Sequence, residues 1–136
     1  MATRKLVPVL ATLVAVMLLA DTGWAVSARI FGWYHGHAIM FVSMTMYIVA
    51  GFVAYDCGGR ILSALAGAVV CIVDNTLGTL ITWCILPVSV ARTLPSIPDL
   101  ATMLAASVVM ALALGLIGGL LAATRHQWQE RHRSTV

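Results

Sequence analysis

The chain has 136 residues, of which 61% are hydrophobic and 10% charged, and its formal net charge is +3. Its mean hydropathy of +0.98 lies outside the usual range of soluble domains. Apolar stretches fill almost the whole chain, which excludes a soluble catalytic or nucleic-acid-binding module. We therefore predict an all-α integral membrane bundle, a single domain over 1–136, with four transmembrane helices at about 7–26, 38–55, 61–86 and 100–124.

The first predicted span follows Arg4 and Lys5 and carries an aspartate, Asp21, near its far end. An ionised carboxylate among lipid tails is costly, so such a residue is expected to face the bundle interior, a partner or a wet cavity. The same segment also fits a secretory signal peptide, with cleavage near Ala25 or Ala28. Cleavage would leave three spans, and the sequence leaves this alternative open.

The second and third predicted spans are joined by a short segment that contains Gly58 and Gly59. Glycine permits the left-handed backbone of a tight helical hairpin. Asp74 lies midway along the third span, again at a position that lipid would otherwise surround. The proline-rich segment 87–99 is not expected to form a regular helix, and the fourth span follows it.

The distribution of positive charge predicts the orientation of the spans. Arg29 and Arg92 lie on one side of the predicted bundle and the other basic residues lie on the opposite side, which the positive-inside rule makes cytoplasmic. Both termini are then cytoplasmic, and the protein is a multi-pass component of the inner or plasma membrane. The six residues that carry this prediction are Arg4, Lys5, Arg60, Arg125, Arg131 and Arg133.

Small residues recur at helical spacing in the third and fourth spans. Gly67 and Gly78 belong to such a stripe in span three, and Gly115 and Gly119 form a small-xxx-small pair in span four. Small residues let helix backbones approach closely in a membrane. We predict that these four glycines pack the bundle together, and a homodimer seam is the alternative.

The two membrane aspartates fall at similar depth. Asp21 is 14 residues from Val7, and Asp74 is 13 residues from Ile61, so both lie about 20 Å from the cytoplasmic end of their helices. Two carboxyl groups in a dry bundle are expected to share a proton or to bind a cation. The alternative is a structural role, in which Asp21 is hydrated near the outer interface and a protonated Asp74 hydrogen-bonds to Thr22 or Ser43 across helices. The predicted polar layer also contains Asn75, Ser43 and Thr22. Of these five residues we predict four as substrate- or ion-binding residues: Asp74, Asp21, Asn75 and Ser43.

A weaker pattern lies near the outer start of the second span. His35, His37 and Met40 offer imidazole and thioether groups, which suit soft metals such as copper(I). Methionine in an apolar helix is more often a packing residue. We keep these three residues as weak candidates and predict no metal site and no cofactor.

Enzymatic activity finds no support in the sequence. No Ser–His–acid set can be assembled, and the zinc-protease, P-loop and nucleophile-elbow motifs are missing. We therefore predict that the protein is not an enzyme and has no catalytic residue.

Two functions fit the four spans and the membrane carboxylates. The first is a small transporter or channel-like protein that works as an oligomer. The second is an accessory or structural subunit of a larger membrane complex. Small multidrug-resistance exporters have a similar plan of four short spans, but they carry a glutamate in the first helix and the rest of their pattern is missing here. The chain is therefore not assigned to that family.

Overall fold

A computed structural model of the protein describes residues 3–32, 37–86 and 97–133, and these residues are helical almost throughout, with no strand among them. The helices in chain order are α1 (Thr3–Phe31), α2 (His37–Val73), a five-residue π-helix (Asp74–Gly78), α3 (Thr79–Ile85) and α4 (Ile97–Arg133). The π-helix continues from α2 into α3 without a gap. The all-helical prediction is confirmed for the described residues.

Helix α2 reverses direction at two glycines. Gly58 and Gly59 have non-helical backbone angles, and Gly59 has a φ of 68°. The Tyr47 hydroxyl group donates a hydrogen bond of 2.5 Å to Asp74 Oδ2, across 27 residues of chain. In a continuous helix these residues would be about 40 Å apart. The chain therefore folds back on itself, and α2 consists of a first arm (37–57) and a second arm (60–73).

The prediction of four separate helices is not confirmed. Among the described residues, three helical stretches are long and apolar enough to cross a membrane: Leu6–Phe31, Ile39–Ile85 and Pro98–Arg133. The second and third predicted spans both lie in the 47-residue stretch Ile39–Ile85. Because the reversal involves only two glycines, no loop separates the two arms.

Two predicted boundaries are also corrected. The first span was expected to end near residue 26, but α1 continues to Phe31. The prolines of 87–99 were expected to exclude a regular helix, yet α4 begins at Ile97 and includes Pro98. Proline is tolerated there because the first turn of a helix has no partner for its amide groups. Residues 87–96 lie outside the described part of the chain.

Helix α4 packs against α2 through contacts between backbones. Gly51 in the first arm and Gly67 in the second arm both lie against the backbone of Gly115, and Gly115 lies against Ser63. A Cβ atom added at any of these three glycines would collide with the facing backbone. The fully buried residues around this crossing are small or apolar: Ala50, Ala54, Ala66, Val70, Cys71 and Ala111. Three helical segments therefore meet at one glycine crossing, the arrangement that small residues permit in membranes.

Helix α1 packs against α2, the π-helix and α3. Met17, Ala25 and Ala28 on α1 are almost completely buried. At one end of the molecule, Arg29 Nη1 donates a hydrogen bond of 2.9 Å to the Ile85 carbonyl oxygen. This contact joins the last turn of α1 to the last turn of α3 and helps to fix the position of one helix along the axis of the other.

Candidate functional site

A cavity of about 220 Å³ lies where α1, the first arm of α2, the π-helix and α3 meet. It is open on one side. The four residues that the sequence predicted as a binding site line this cavity together. The complete lining is Asp21, Trp24, Ile39, Ser43, Asp74, Asn75, Gly78, Thr79 and Thr82.

Two carboxyl groups face each other in the cavity. Asp21 is only 6% exposed, and its carboxyl group lies close to that of Asp74 beside Gly78. Asp21 Oδ2 is buried and receives no hydrogen bond from any described residue. Ionised carboxylates only accept hydrogen bonds, so two of them in contact require a proton or a cation between them. The pair can therefore hold one positive charge beside the cavity.

Gly78 makes room for both carboxyl groups. A Cβ atom added at this position would contact Asp21 Oδ2 and would lie 3.3 Å from Asp74 Oδ1. The sequence assigned Gly78 to helix packing, with Gly67, Gly115 and Gly119. Gly67 and Gly115 do lie against a neighbouring backbone, and Gly119 lies against the Ser63 side chain. Gly78 differs from them because it faces the two acidic side chains.

Tyr47 contacts the acidic pair from the first arm of α2. Its side chain is 2% exposed, and its hydroxyl group donates to Asp74 Oδ2. This hydrogen bond leaves the other Asp74 oxygen for Asp21 or for a ligand. The sequence analysis did not select Tyr47. One signal was present, because Tyr47 lies one helical turn after Ser43 and therefore on the same face of the first arm.

The π-helix carries three of the residues that line the cavity. Asp74, Asn75 and Gly78 all lie within its five residues. Single π-turns inside α-helices are rare and frequently occur at functional sites, because the wider turn changes the direction of the side chains. Asn75 Nδ2 donates hydrogen bonds to the carbonyl oxygen and the Sγ atom of Cys71, at 3.0 and 3.3 Å. The Asn75 amide thus fastens the start of the π-helix to the preceding turn.

Other polar residues near this level have different roles. Thr22, expected in the polar layer, donates to the Leu18 carbonyl oxygen in its own helix and does not line the cavity. Thr79 and Thr82 do line it, and Thr82 donates to the Gly78 carbonyl oxygen. Trp24 also lines the cavity, and the sequence analysis did not select it.

A second, larger cavity adjoins the first along the π-helix. It has a volume of about 560 Å³ and lies between α3 and the first turns of α4. Asn75 and Thr79 line both cavities. The remaining lining residues are mostly apolar: Thr76, Leu80, Trp83, Leu100, Ala101, Met103 and Leu104.

The weak metal candidates are not brought into a site. His35 lies outside the described residues, and His37 begins α2 without a described side chain. Met40 is 47% exposed. Within the described ranges, no group of three His, Cys, Asp or Glu side chains is positioned to hold a metal ion.

Comparisons of the chain with protein-family models, with curated proteins and with solved structures found no match.

Proposed function

We propose that this protein is a small polytopic membrane transporter or channel-like protein that works as an oligomer and exchanges a proton for a cation at the Asp21–Asp74 pair. The observation that supports it is the geometry of this pair. Two carboxyl groups from different helices meet beside an open cavity, and one buried carboxyl oxygen has no described hydrogen-bond donor. Asp74 is the principal ligand, and Asp21, Asn75 and Ser43 assist it.

The exchange conserves charge at the site. In the empty state the two carboxyl groups share one proton, which leaves the pair with one negative charge. A monovalent cation that enters between the groups replaces this proton, which leaves through the open side of the cavity. Compared with two ionised carboxylates, a pair that holds one proton or one monovalent cation lowers the cost of burying charge in a low-dielectric environment. The site therefore suits coupled movement of a proton and a cation in opposite directions.

The proposed topology has four membrane crossings. In it, α1, the first arm of α2, the second arm continued by the π-helix and α3, and α4 each cross once. Both termini are cytoplasmic in an inner or plasma membrane. Asp56 Oδ1 at the hairpin turn lies 2.7 Å from His126 Nε2 on α4. Asp56 is close in sequence to Arg60, and His126 follows Arg125. The Arg29–Ile85 contact lies at the opposite end of α1 from Arg4 and Lys5. These contacts support a grouping of the basic residues at one face, as the positive-inside rule requires.

Proton flux in proteoliposomes tests the proposal. Vesicles that contain the full chain and an internal pH indicator are placed in a pH gradient, and Na⁺, K⁺ or an alkylammonium ion is added outside. We expect a cation-driven proton flux from the wild-type protein and none from Asp74→Asn. Asp56→Asn is the matched control, because it makes the same chemical change at an exposed residue away from the cavity. Equal flux from the wild type and a correctly assembled Asp74→Asn variant would contradict the proposal.

The alternative, an accessory subunit, is favoured by the outer surface of α4. Only 11% of the most apolar 18-residue segment of Pro98–Arg133 is buried within the chain. Most of this segment is therefore available to lipid or to a partner. Mass measurement in detergent separates the two functions. A transporter is expected as a stable homo-oligomer, and an accessory subunit as a monomer that needs its partner for stability.

A further inference from the structure

We infer that the cation held by the Asp21–Asp74 pair is the head group of an amphiphile, whose apolar tail occupies the adjoining cavity between α3 and α4. This inference names the substrate class of the proposed exchange site and rests on that assignment. It depends on the two cavities sharing one wall.

The first cavity selects a cationic head group. Asp21 and Asp74 are the charged residues in its lining, and none of the basic side chains that the structure describes lines it. Trp24 adds an aromatic ring, a group that attracts ammonium ions. A volume of about 220 Å³ admits a small ammonium group. Charge complementarity therefore excludes an anionic or zwitterionic head group with a phosphate beside the carboxyl groups.

The second cavity suits an alkyl tail. Its volume of about 560 Å³ lies in the range of ligand pockets. Its walls present Leu80, Trp83, Met103 and Leu104, and the carboxyl groups of Asp21 and Asp74 do not line it. A bare metal ion would gain nothing from these apolar walls. An alkyl chain gains free energy by burying its apolar surface against them.

The position of Asn75 and Thr79 connects the two cavities. These residues are four apart in a helical segment, so they lie on one face about one turn from each other. Both line both cavities, which places the cavities on either side of a single polar edge. A ligand that crosses this edge can keep its charged head beside Asp74 and its tail against α4. Both cavities are open to the outside of the chain, which gives such a ligand a route of entry.

Calorimetric titration of the full chain in nanodiscs tests the inference. The probes are ethylammonium, hexylammonium and decylammonium, with titrations into protein-free nanodiscs subtracted. Ala101→Phe reduces the second cavity, because Ala101 lies in its wall. Ala106→Phe is the matched control, since Ala106 is exposed on the same helix and lines neither of the two cavities.

The expected result is a loss of affinity that depends on tail length. Each methylene excluded from an apolar cavity weakens binding about fourfold, so Ala101→Phe should weaken decylammonium binding roughly tenfold or more. Ethylammonium should bind the two Phe variants within about twofold of the wild type, which also shows that both variants fold. Binding of decylammonium should release one proton from the wild type, and Asp74→Asn should abolish binding.

The outcomes separate this inference from the proposed function. The inference that the ligand is an amphiphile is overturned if Ala101→Phe leaves the affinity for decylammonium unchanged. It is also overturned if Ala106→Phe lowers this affinity equally. In that case, cation-driven proton flux in proteoliposomes would still support transport of a small cation. Conversely, tail-dependent binding at the pair without any flux supports the amphiphile site and contradicts a transport function.

Discussion

The Tyr47 hydroxyl group determines how Asp74 is presented to the cavity. Its hydrogen bond engages Oδ2, so Asp74 Oδ1 is the oxygen that lies near Gly78 and the cavity. The donor comes from the first arm of α2 and the acceptor from the π-helix. The acidic pair and the helical hairpin are thereby coupled at one contact, and each depends on the other for its geometry.

Removal of this hydroxyl group is expected to destabilise the hairpin modestly. Tyr47→Phe keeps the buried ring but deletes the donor to Asp74, and hydrogen bonds between membrane helices contribute about 0.6 to 2 kcal/mol. We expect a loss of unfolding free energy in this range, measured by denaturant titration in detergent. Tyr55→Phe is the control, because the described hydrogen bonds include none from Tyr55 to a carboxyl group. Equal losses in both variants would contradict the role of the Tyr47–Asp74 bond.

Gly78 offers a direct test of the space between the two carboxyl groups. In Gly78→Ala, the added methyl group meets oxygen atoms of both Asp21 and Asp74, so the pair must separate. We expect the proton flux to fall roughly tenfold or more, since displacements of about 1 Å at functional sites cost up to about 100-fold. Gly23→Ala is the matched control, because nothing lies within 4 Å of its added Cβ atom. The prediction fails if both variants retain wild-type flux.

At the scale of the helices, the reversal at Gly58–Gly59 determines which residues meet. Gly59 combines a φ of 68° with a ψ of −155°, a region that only glycine occupies readily. Gly59→Ala and Gly59→Asn should therefore each lose about 1–3 kcal/mol of unfolding free energy. Asparagine is informative because it tolerates the ordinary left-handed helical region but not this one. Full stability of Gly59→Asn in thermal unfolding would show that the turn adopts a different conformation.

The depth of the two aspartates could be predicted from the sequence, but their contact could not. A helix rises by a fixed 1.5 Å per residue, so counting from the ends of the apolar stretches places Asp21 and Asp74 at one level. The direction of each side chain depends on how the helix is rotated about its axis, which packing decides. Ser43 and Asn75 follow from depth in the same way, whereas the contact of Tyr47 with Asp74 depends on this rotation.

The π-helix and the merged hairpin were not predicted, for different reasons. One extra residue in a helical turn leaves the apolar pattern of 74–78 almost unchanged, so hydropathy does not reveal it. Gly58 and Gly59 did indicate a tight turn. They did not reveal that the turn would be too short to separate the two arms into distinct helices.

For the molecule as a whole, the proposed orientation predicts which cysteines a reagent can reach. Cys84 is exposed near the end of α3 and Glu130 is exposed on α4. In intact cells, a membrane-impermeant maleimide should label Cys84 in Cys57→Ser. In a second variant, Cys57→Ser/Cys84→Ser/Glu130→Cys, the reagent should label the cysteine introduced in place of Glu130 only after the membrane is permeabilised. Cys71 is fully buried and is not expected to react in any of these variants. The opposite labelling pattern would reverse the orientation and place the termini outside.

The two-glycine turn also affects how the protein is made. Because no loop separates the arms, the stretch Ile39–Ile85 is expected to leave the ribosome and enter the bilayer as one hairpin. Tyr47 and Asp74 both belong to it, so the carboxyl group enters the hydrocarbon already paired with its hydroxyl donor. This pairing is expected to lower the free-energy cost of moving Asp74 out of water before α4 has been synthesised. The hairpin then provides the surface against which α4 packs.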